Sequence, residues 1–205
     1  FSSYGLPLEL TIEVAKEKKV LMAENIKQEF ETEFKKHQEL SQTSSAGMFK
    51  GGLANHSDKT IKLHTAHHLL LAGLQEVVST DIKQRGSNIT EERLRIDFIC
   101  DHKLTDEEKK KIEEWVNDKI KRDLNVVRKE MPLEEAEKIG AQMEFGAKYP
   151  DIVSIYFVED EKNNYISKEF CGGPHVTNTK ELGYFKIGKE EAVAQGIRRI
   201  KGTLS

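Results

Sequence analysis

Leu63-His64-Thr65-Ala66-His67-His68-Leu69-Leu70 is the stretch on which the reading of the fold turns. It sits inside Thr60 to Val78, where Leu63, Leu70, Leu71, Leu74 and Val78 recur along one apolar helix. His64 and His68 are four residues apart, so one helical turn sets both imidazoles on one face, within reach of a single ion. By itself such a pair is ordinary in a chain with seven histidines. A second pair stands far downstream, in Cys171-Gly172-Gly173-Pro174-His175. Two glycines and a proline make this a tight turn, able to aim a thiolate and an imidazole at one point. Alone, that turn shows backbone constraint and not a metal. Together the pairs offer three imidazoles and one thiolate, a set whose number and softness suit Zn2+. One pair opens a domain on a helix and the other lies between strands late in it, so folding could unite them.

Around these pairs the patterning alternates between periods. Arg93 to Ile99 puts Leu94, Ile96 and Phe98 on one face, a half-buried strand. Thr105 and Glu108 form a capping-box pattern that opens a helix with a buried stripe of Ile112, Trp115, Val116 and Ile120. Val126 and Val127 suggest a short strand, and Pro132 to Ile139 a helix. Val153, Ile155 and Phe157 alternate, Asn163 and Asn164 look like a turn, and Tyr165 leads a strand toward Cys171. Tyr184 to Ile187 and Ile197 to Ile200 give two more strands. Hairpin-like spacings outnumber βαβ crossovers, so the expected class is α+β, with a mostly antiparallel sheet packed against helices. Upstream, Pro7 is placed for a helix start ahead of Leu8, Thr11, Ile12 and Ala15. Ile26, Phe30 and Phe34 mark a second helix, and Ser41 to Asn55 is rich in Ser, Thr and Gly. The expected organisation is a helical segment over 1–45, a linker over 46–58 and a domain over 59–205.

Composition narrows the function classes. A chain of 205 residues, 37% hydrophobic and 33% charged, can bury one good core or one domain with an attached helical segment. It has no uncharged apolar run of membrane-spanning length. It starts at Phe1 without an initiator Met, a basic n-region or an apolar h-region, which reads as a piece of a longer protein. A net charge of −3 excludes nucleic-acid binding by bulk positive charge but leaves local basic faces open. Lys83, Arg85, Arg93 and Arg95 form one such cluster, and Arg198, Arg199 and Lys201 another. Either could meet a phosphate backbone or be solvated surface. Lys109 to Lys111, set among glutamates, reads as solvated helix. Two cysteines are no disulfide framework and suit a reducing cytosol. Cys100 has no partner at ligand spacing and reads as core.

The histidine helix and Cys171-Gly172-Gly173-Pro174-His175-Val176 resemble the paired zinc motifs of the alanyl-tRNA synthetase editing domain. Free-standing trans-editing relatives and the threonyl enzyme's editing domain carry related pairs. Lys83-Gln84-Arg85-Gly86-Ser87 resembles the alanyl family's glutamine-containing segment, and Gly196-Ile197-Arg198-Arg199-Ile200 its closing strand. Tyr4-Gly5-Leu6-Pro7-Leu8-Glu9-Leu10-Thr11 looks like the stretch after the aminoacylation core, in the tRNA-recognition helices. The resemblance implies that residues 59–205 hydrolyse alanine tRNA mischarged with serine or glycine, in the cytoplasm and as part of a larger synthetase. It implies Zn2+ on His64, His68, Cys171 and His175, with Gln84 catalytic. Gly172 and Gly173 are expected at the substrate, with His67 as a pocket-wall residue or else a solvent-facing or core histidine or a substitute ligand, and Lys83, Arg85, Arg198 and Arg199 are expected on the tRNA. No ATP-handling motif is visible, so aminoacylation is not expected of this piece. Two departures stand out. The family usually places an extended β-barrel between the recognition helices and the editing domain, and here that interval is too short for one. Position 67 is typically threonine. Two other readings are a threonyl-type editing module, toward which Pro174 leans, and a non-hydrolytic tRNA-binding module with structural zinc. A metalloprotease fits poorly, because no glutamate follows His64.

Overall fold

The computed structural model describes residues 12, 17–18, 25–32, 53–143, 147–162 and 164–205. Residues 1–48 and 49–205 form separate compact units. In the first unit residues 26–32 are helical. Asn25 Nδ2 donates to Glu29 Oε1 at 2.8 Å, and Thr32 Oγ1 to the Gln28 carbonyl at 2.7 Å. Ile12 and Glu17 are helical too. The rest of the helix expected from Pro7, Phe34, and the expected break as far as Gly52 lie outside the described residues.

The second unit is built on α1 (Asp58–Val77). Ser57 caps it, accepting the Thr60 N–H at 3.4 Å, and Thr60 Oγ1 donates to Asn55 Oδ1 at 2.8 Å. Leu53 bridges to Ile89, and the Ala54 N–H donates to the Ile89 carbonyl at 2.8 Å. Residues 53–57, part of the stretch read as linker, are therefore packed onto this unit. Every residue from Leu63 to Leu74 is buried. A helix enclosed on all sides has no polar face to turn outward. Burial of Leu69, Leu70 and Leu74, all 0% exposed, contributes about 1.5–3 kcal/mol each. That gain offsets the cost of enclosing Thr65 and three histidines on the same helix.

α1 packs against α2 (Asp106–Lys121), β1 (Gln84–Ile89), β2 (Leu94–Ile99) and β5 (Tyr165–Phe170). Four strands form one antiparallel sheet in the order β1, β2, β7 (Ile197–Leu204), β6 (Phe185–Ala194). A second antiparallel sheet runs β3 (Asn125–Pro132), β4 (Ile152–Glu159), β5. The α+β expectation is met. Leu94, Ile96 and Phe98 are all 0% exposed, as their alternation predicts, and Ile96 pairs with Ile200. Around them gathers a large core with Ile112, Val116 and Phe185. A smaller one forms from Ala136 of α3 (Leu133–Lys138) with Val153, Ile155, Phe157 and Phe170.

α2 begins in the expected capping box: the Glu108 N–H donates to Thr105 Oγ1 at 3.1 Å, and the Thr105 N–H to Glu108 Oε2 at 2.8 Å. Asn117 ties it to the sheet. Its Nδ2 donates to the Phe185 carbonyl at 2.8 Å and its Oδ1 accepts the Phe185 N–H at 2.9 Å. Gly73 lets α1 approach α2, since a Cβ there would stand 3.1 Å from a Trp115 ring carbon.

Three elements exceed or escape the expectation. β1 was not foreseen, because Gln84-Arg85-Gly86-Ser87-Asn88-Ile89 carries no apolar alternation and takes its ladder from β2. β6 runs on through Lys189, Glu190 and Glu191, held by pairing with β7 and not by hydrophobicity. Thr179–Leu182 is a short 3-10 turn, capped by Asn178.

Candidate metal centre

Two elements build the centre: α1, and the turn that follows β5. His64 Nδ1 lies 3.1 Å from the Pro174 carbonyl, an acceptor only, so Nδ1 carries the proton. That leaves His64 Nε2 unprotonated, 3.4 Å from Cys171 Sγ. Thr65 performs the same service for His175. Its hydroxyl donates to the Ile61 carbonyl at 3.3 Å and accepts the Val176 N–H at 3.2 Å. Its remaining lone pair takes His175 Nδ1–H at 3.1 Å, leaving His175 Nε2 3.1 Å from Cys171 Sγ. His68 Nε2 lies 3.6 Å from Glu169 Oε2, whose other oxygen accepts from Ser167 Oγ at 3.2 Å. Cys171 Sγ accepts the Gly173 N–H at 3.4 Å.

One donor atom from each of His64, His68, Cys171 and His175 falls within 4.8 Å of every other. Zinc bonds of roughly 2.0–2.3 Å at tetrahedral angles give donor separations of roughly 3.3–3.6 Å, close to the two sulfur–nitrogen distances. Protonation favours a metal too. Burial pushes His64 down to about 4, outweighing the Pro174 hydrogen bond that raises it. Burial, and then the neighbouring imidazoles, hold His68 and His175 well below the ordinary histidine value. Neutral imidazoles are the form a metal requires. The donor set and its protonation thus fit a zinc-like ion.

The turn is held by its backbone. Gly173 sits at φ +67, and a Cβ there would collide with the Tyr156 hydroxyl. The Tyr156 ring packs 4.2 Å from the His175 ring, centre to centre. The Gly173–Pro174 peptide is cis. Gly172 is exposed and Gly173 buried. Neither is among the described residues that line the cavity beside the donors, and both lie in the turn.

Beside the four donors lies a cavity of about 20 Å³, lined among others by His64, His67, His68, Gln84, Gln142 and Glu169. That volume admits about one water. Gln84 reaches it from the start of β1, where a bulge skips Arg85 in the pairing with β2. Gly86 permits the bulge, since a Cβ there would stand 3.3 Å from Asp97 Oδ2. His67 is 2% exposed, and burial, with His64 nearby, pushes it down to about 3.

The expected tRNA contacts divide. Lys83 and Arg85 are exposed on either side of Gln84. Arg199 forks onto Asp97, Nε to Oδ1 at 2.6 Å and Nη2 to Oδ2 at 2.8 Å. Arg198 Nε donates to Glu190 Oε1 at 2.6 Å. Both of these guanidinium groups are engaged within the sheet. Cys100 is 7% exposed and in the core as expected, but it does have a neighbour of ligand type: His102 Nδ1, two residues on and 3.7 Å away.

Sequence reasoning missed Glu169, Gln142 and Thr65. A signal for Glu169 was available: Ser167, Glu169 and Cys171 share one strand parity, a polar row leading to the thiol. Gln142 comes from an irregular stretch, fixed by its N–H to the Lys168 carbonyl at 2.7 Å.

Comparison with known proteins adds an independent line. Residues 153–201 match the family model described as the threonyl and alanyl tRNA synthetase second additional domain. The whole chain is 48% identical over 204 residues to an alanine–tRNA ligase of Treponema denticola, of which it covers 33%. It is 49% identical over 205 residues to one of Borreliella burgdorferi, again covering 33%. Over 141 residues, 69% of this chain, it is 48% identical to one of Halalkalibacterium halodurans, of which that stretch is 16%. The chain thus spans about a third of the length of the relatives that match it throughout. Among the described residues no helix is long and apolar enough to cross a membrane.

Proposed function

We propose, from the similarity of the whole chain to alanine–tRNA ligases, that residues 59–205 hydrolyse the ester of mischarged tRNA(Ala), releasing serine or glycine. The observation that carries the reading is the adjacency of the four-donor group to a cavity of about 20 Å³ with polar walls. An ester of an amino acid with a ribose hydroxyl is already activated, so the site must mainly place one water and meet an oxyanion. The Gln84 amide donates to that oxyanion or holds the water. Glu169, the one carboxylate among the described lining residues, holds the α-ammonium group. Lys83 and Arg85 meet the tRNA backbone beside Gln84. Arg198 and Arg199 act there only by surrendering their internal carboxylate partners. When bound by His64, His68, Cys171 and His175, Zn2+ would brace the pocket and lend it positive potential.

Deacylation of seryl-, glycyl- and alanyl-tRNA(Ala) by the intact chain tests the reading. Serine and glycine should be released faster than alanine, because a synthetic site cannot strongly reject side chains this small and a second hydrolytic site must do so. Equal seryl and alanyl rates would remove the assigned specificity. Binding of tRNA without hydrolysis of any ester would leave a tRNA-binding module with structural zinc.

A further inference from the structure

His67 lines the pocket, and the proposed hydrolysis does not use its polarity. Neither Nδ1 nor Nε2 has a hydrogen-bond partner among the described residues, though the side chain is 2% exposed. A neutral imidazole carries one donor and one acceptor in either tautomer. Burying both without partners costs free energy, so such a group calls for a reason. Ligation does not supply one: His67 stands outside the four-donor group, its ring centre 6.1 Å from that of His68. Nor does apolar packing, which a leucine would serve without the cost. What remains is the cavity itself, which His67 lines together with Gln84 and Glu169.

A group with one donor and one acceptor matches a hydroxyl, which has the same pair. The methyl of alanine and the hydrogen of glycine offer neither. The cavity, about 20 Å³, takes a group the size of a water and so a hydroxyl. We propose that His67 hydrogen-bonds the side-chain hydroxyl of the aminoacyl group, making it a specificity-determining residue for esters of small hydroxy amino acids. This rests on the deacylase reading above. It assigns serine a grip that glycine lacks, so the two substrates leave by different routes through one site.

The test compares the intact chain with His67→Leu and His67→Gln on seryl- and glycyl-tRNA(Ala), reading kcat/KM for each, and zinc content per chain after loading with zinc. Loss of one neutral hydrogen bond in His67→Leu should lower the seryl-to-glycyl ratio about three- to tenfold. His67→Gln keeps a donor and an acceptor and should recover most of it. Zinc content should stay at the wild-type level in both variants. An unchanged ratio in His67→Leu overturns the proposal, as does zinc loss, or a glutamine variant no better than leucine. A wild-type chain that cleaves neither ester overturns the deacylase reading itself, and that result is distinct from the other three.

Discussion

Thr65→Val tests whether the hydrogen bonds behind the donors tune the metal centre. Valine has nearly the shape of threonine, and Thr65 is 1% exposed, so packing is kept while the hydroxyl is lost. Two groups then lose their partner: the Val176 N–H, now 3.2 Å from Thr65 Oγ1, and His175 Nδ1, now at 3.1 Å. A buried donor left unmet costs about 1–3 kcal/mol. Freeing His175 to rotate and change tautomer should weaken zinc about 10- to 100-fold, or about 1.4–2.8 kcal/mol. Competition against a chromophoric chelator reads that directly. Thermal melting with and without zinc reads it again, because the ligand's stabilisation follows its affinity. At roughly 2–4 °C per kcal/mol for a domain of this size, the zinc-dependent part of Tm should shrink by about 3–10 °C. Thr65→Ser, which keeps the hydroxyl, should hold affinity within about threefold. Wild-type zinc affinity in Thr65→Val, with only the metal-free Tm lowered, would refute the reasoning and reduce Thr65 to a backbone brace.

Other perturbations probe separate parts of the molecule. Glu169→Gln should lower kcat/KM on seryl-tRNA(Ala) roughly 10- to 100-fold, mostly through KM, as a charged hydrogen bond is lost. An N-acetylated ester, which has no ammonium, should not distinguish it from wild type, and an equal loss on both esters defeats the assignment. Asn117→Leu leaves the Phe185 N–H and carbonyl unpaired between α2 and β6, and should cost about 2–4 kcal/mol in urea unfolding; a change below about 0.5 kcal/mol contradicts the pinning role. Burial holds His64 at about 4 and His67 at about 3, both below the 6.5 of an unperturbed histidine. As pH falls the unfolded chain takes up these protons first, so their contribution is full above about pH 6.5 and lost toward about pH 4 and then 3. Urea midpoints of the metal-free chain should fall steadily from about pH 7 to pH 5, and a flat profile would show that these histidines are not buried neutral.

What could be read in advance depended on whether a residue's environment is written in its neighbours. His64 with His68, and Cys171 with His175, are legible because a four-residue spacing on a helix or in a glycine turn is itself a geometry. Thr105 with Glu108, and the alternation of Leu94, Ile96 and Phe98, are local in the same sense. β1 was not legible, since its polar residues gain strand structure only from the β2 ladder. Arg198 and Arg199 looked like a charge run because Glu190 and Asp97 meet them through strand register. Glu169 and Gln142 enter the pocket only once β5 has been set against α1 and the segment holding Gln142 has been tied to β5.

The burial of α1 from Leu63 to Leu74 has a consequence for the growing chain. His64 and Cys171 are 107 residues apart. At roughly 5–20 residues per second of synthesis, the helix emerges roughly 5–20 s before the thiol that completes its centre. β5 is made at the end of that interval, and β7, which completes the four-stranded sheet, only after Cys171. Until then Leu63, Leu69, Leu70, Leu71 and Leu74 of the helix stand without the walls that bury them. The histidines are on it from the start, and they lower its greasiness through the one period when nothing else covers it.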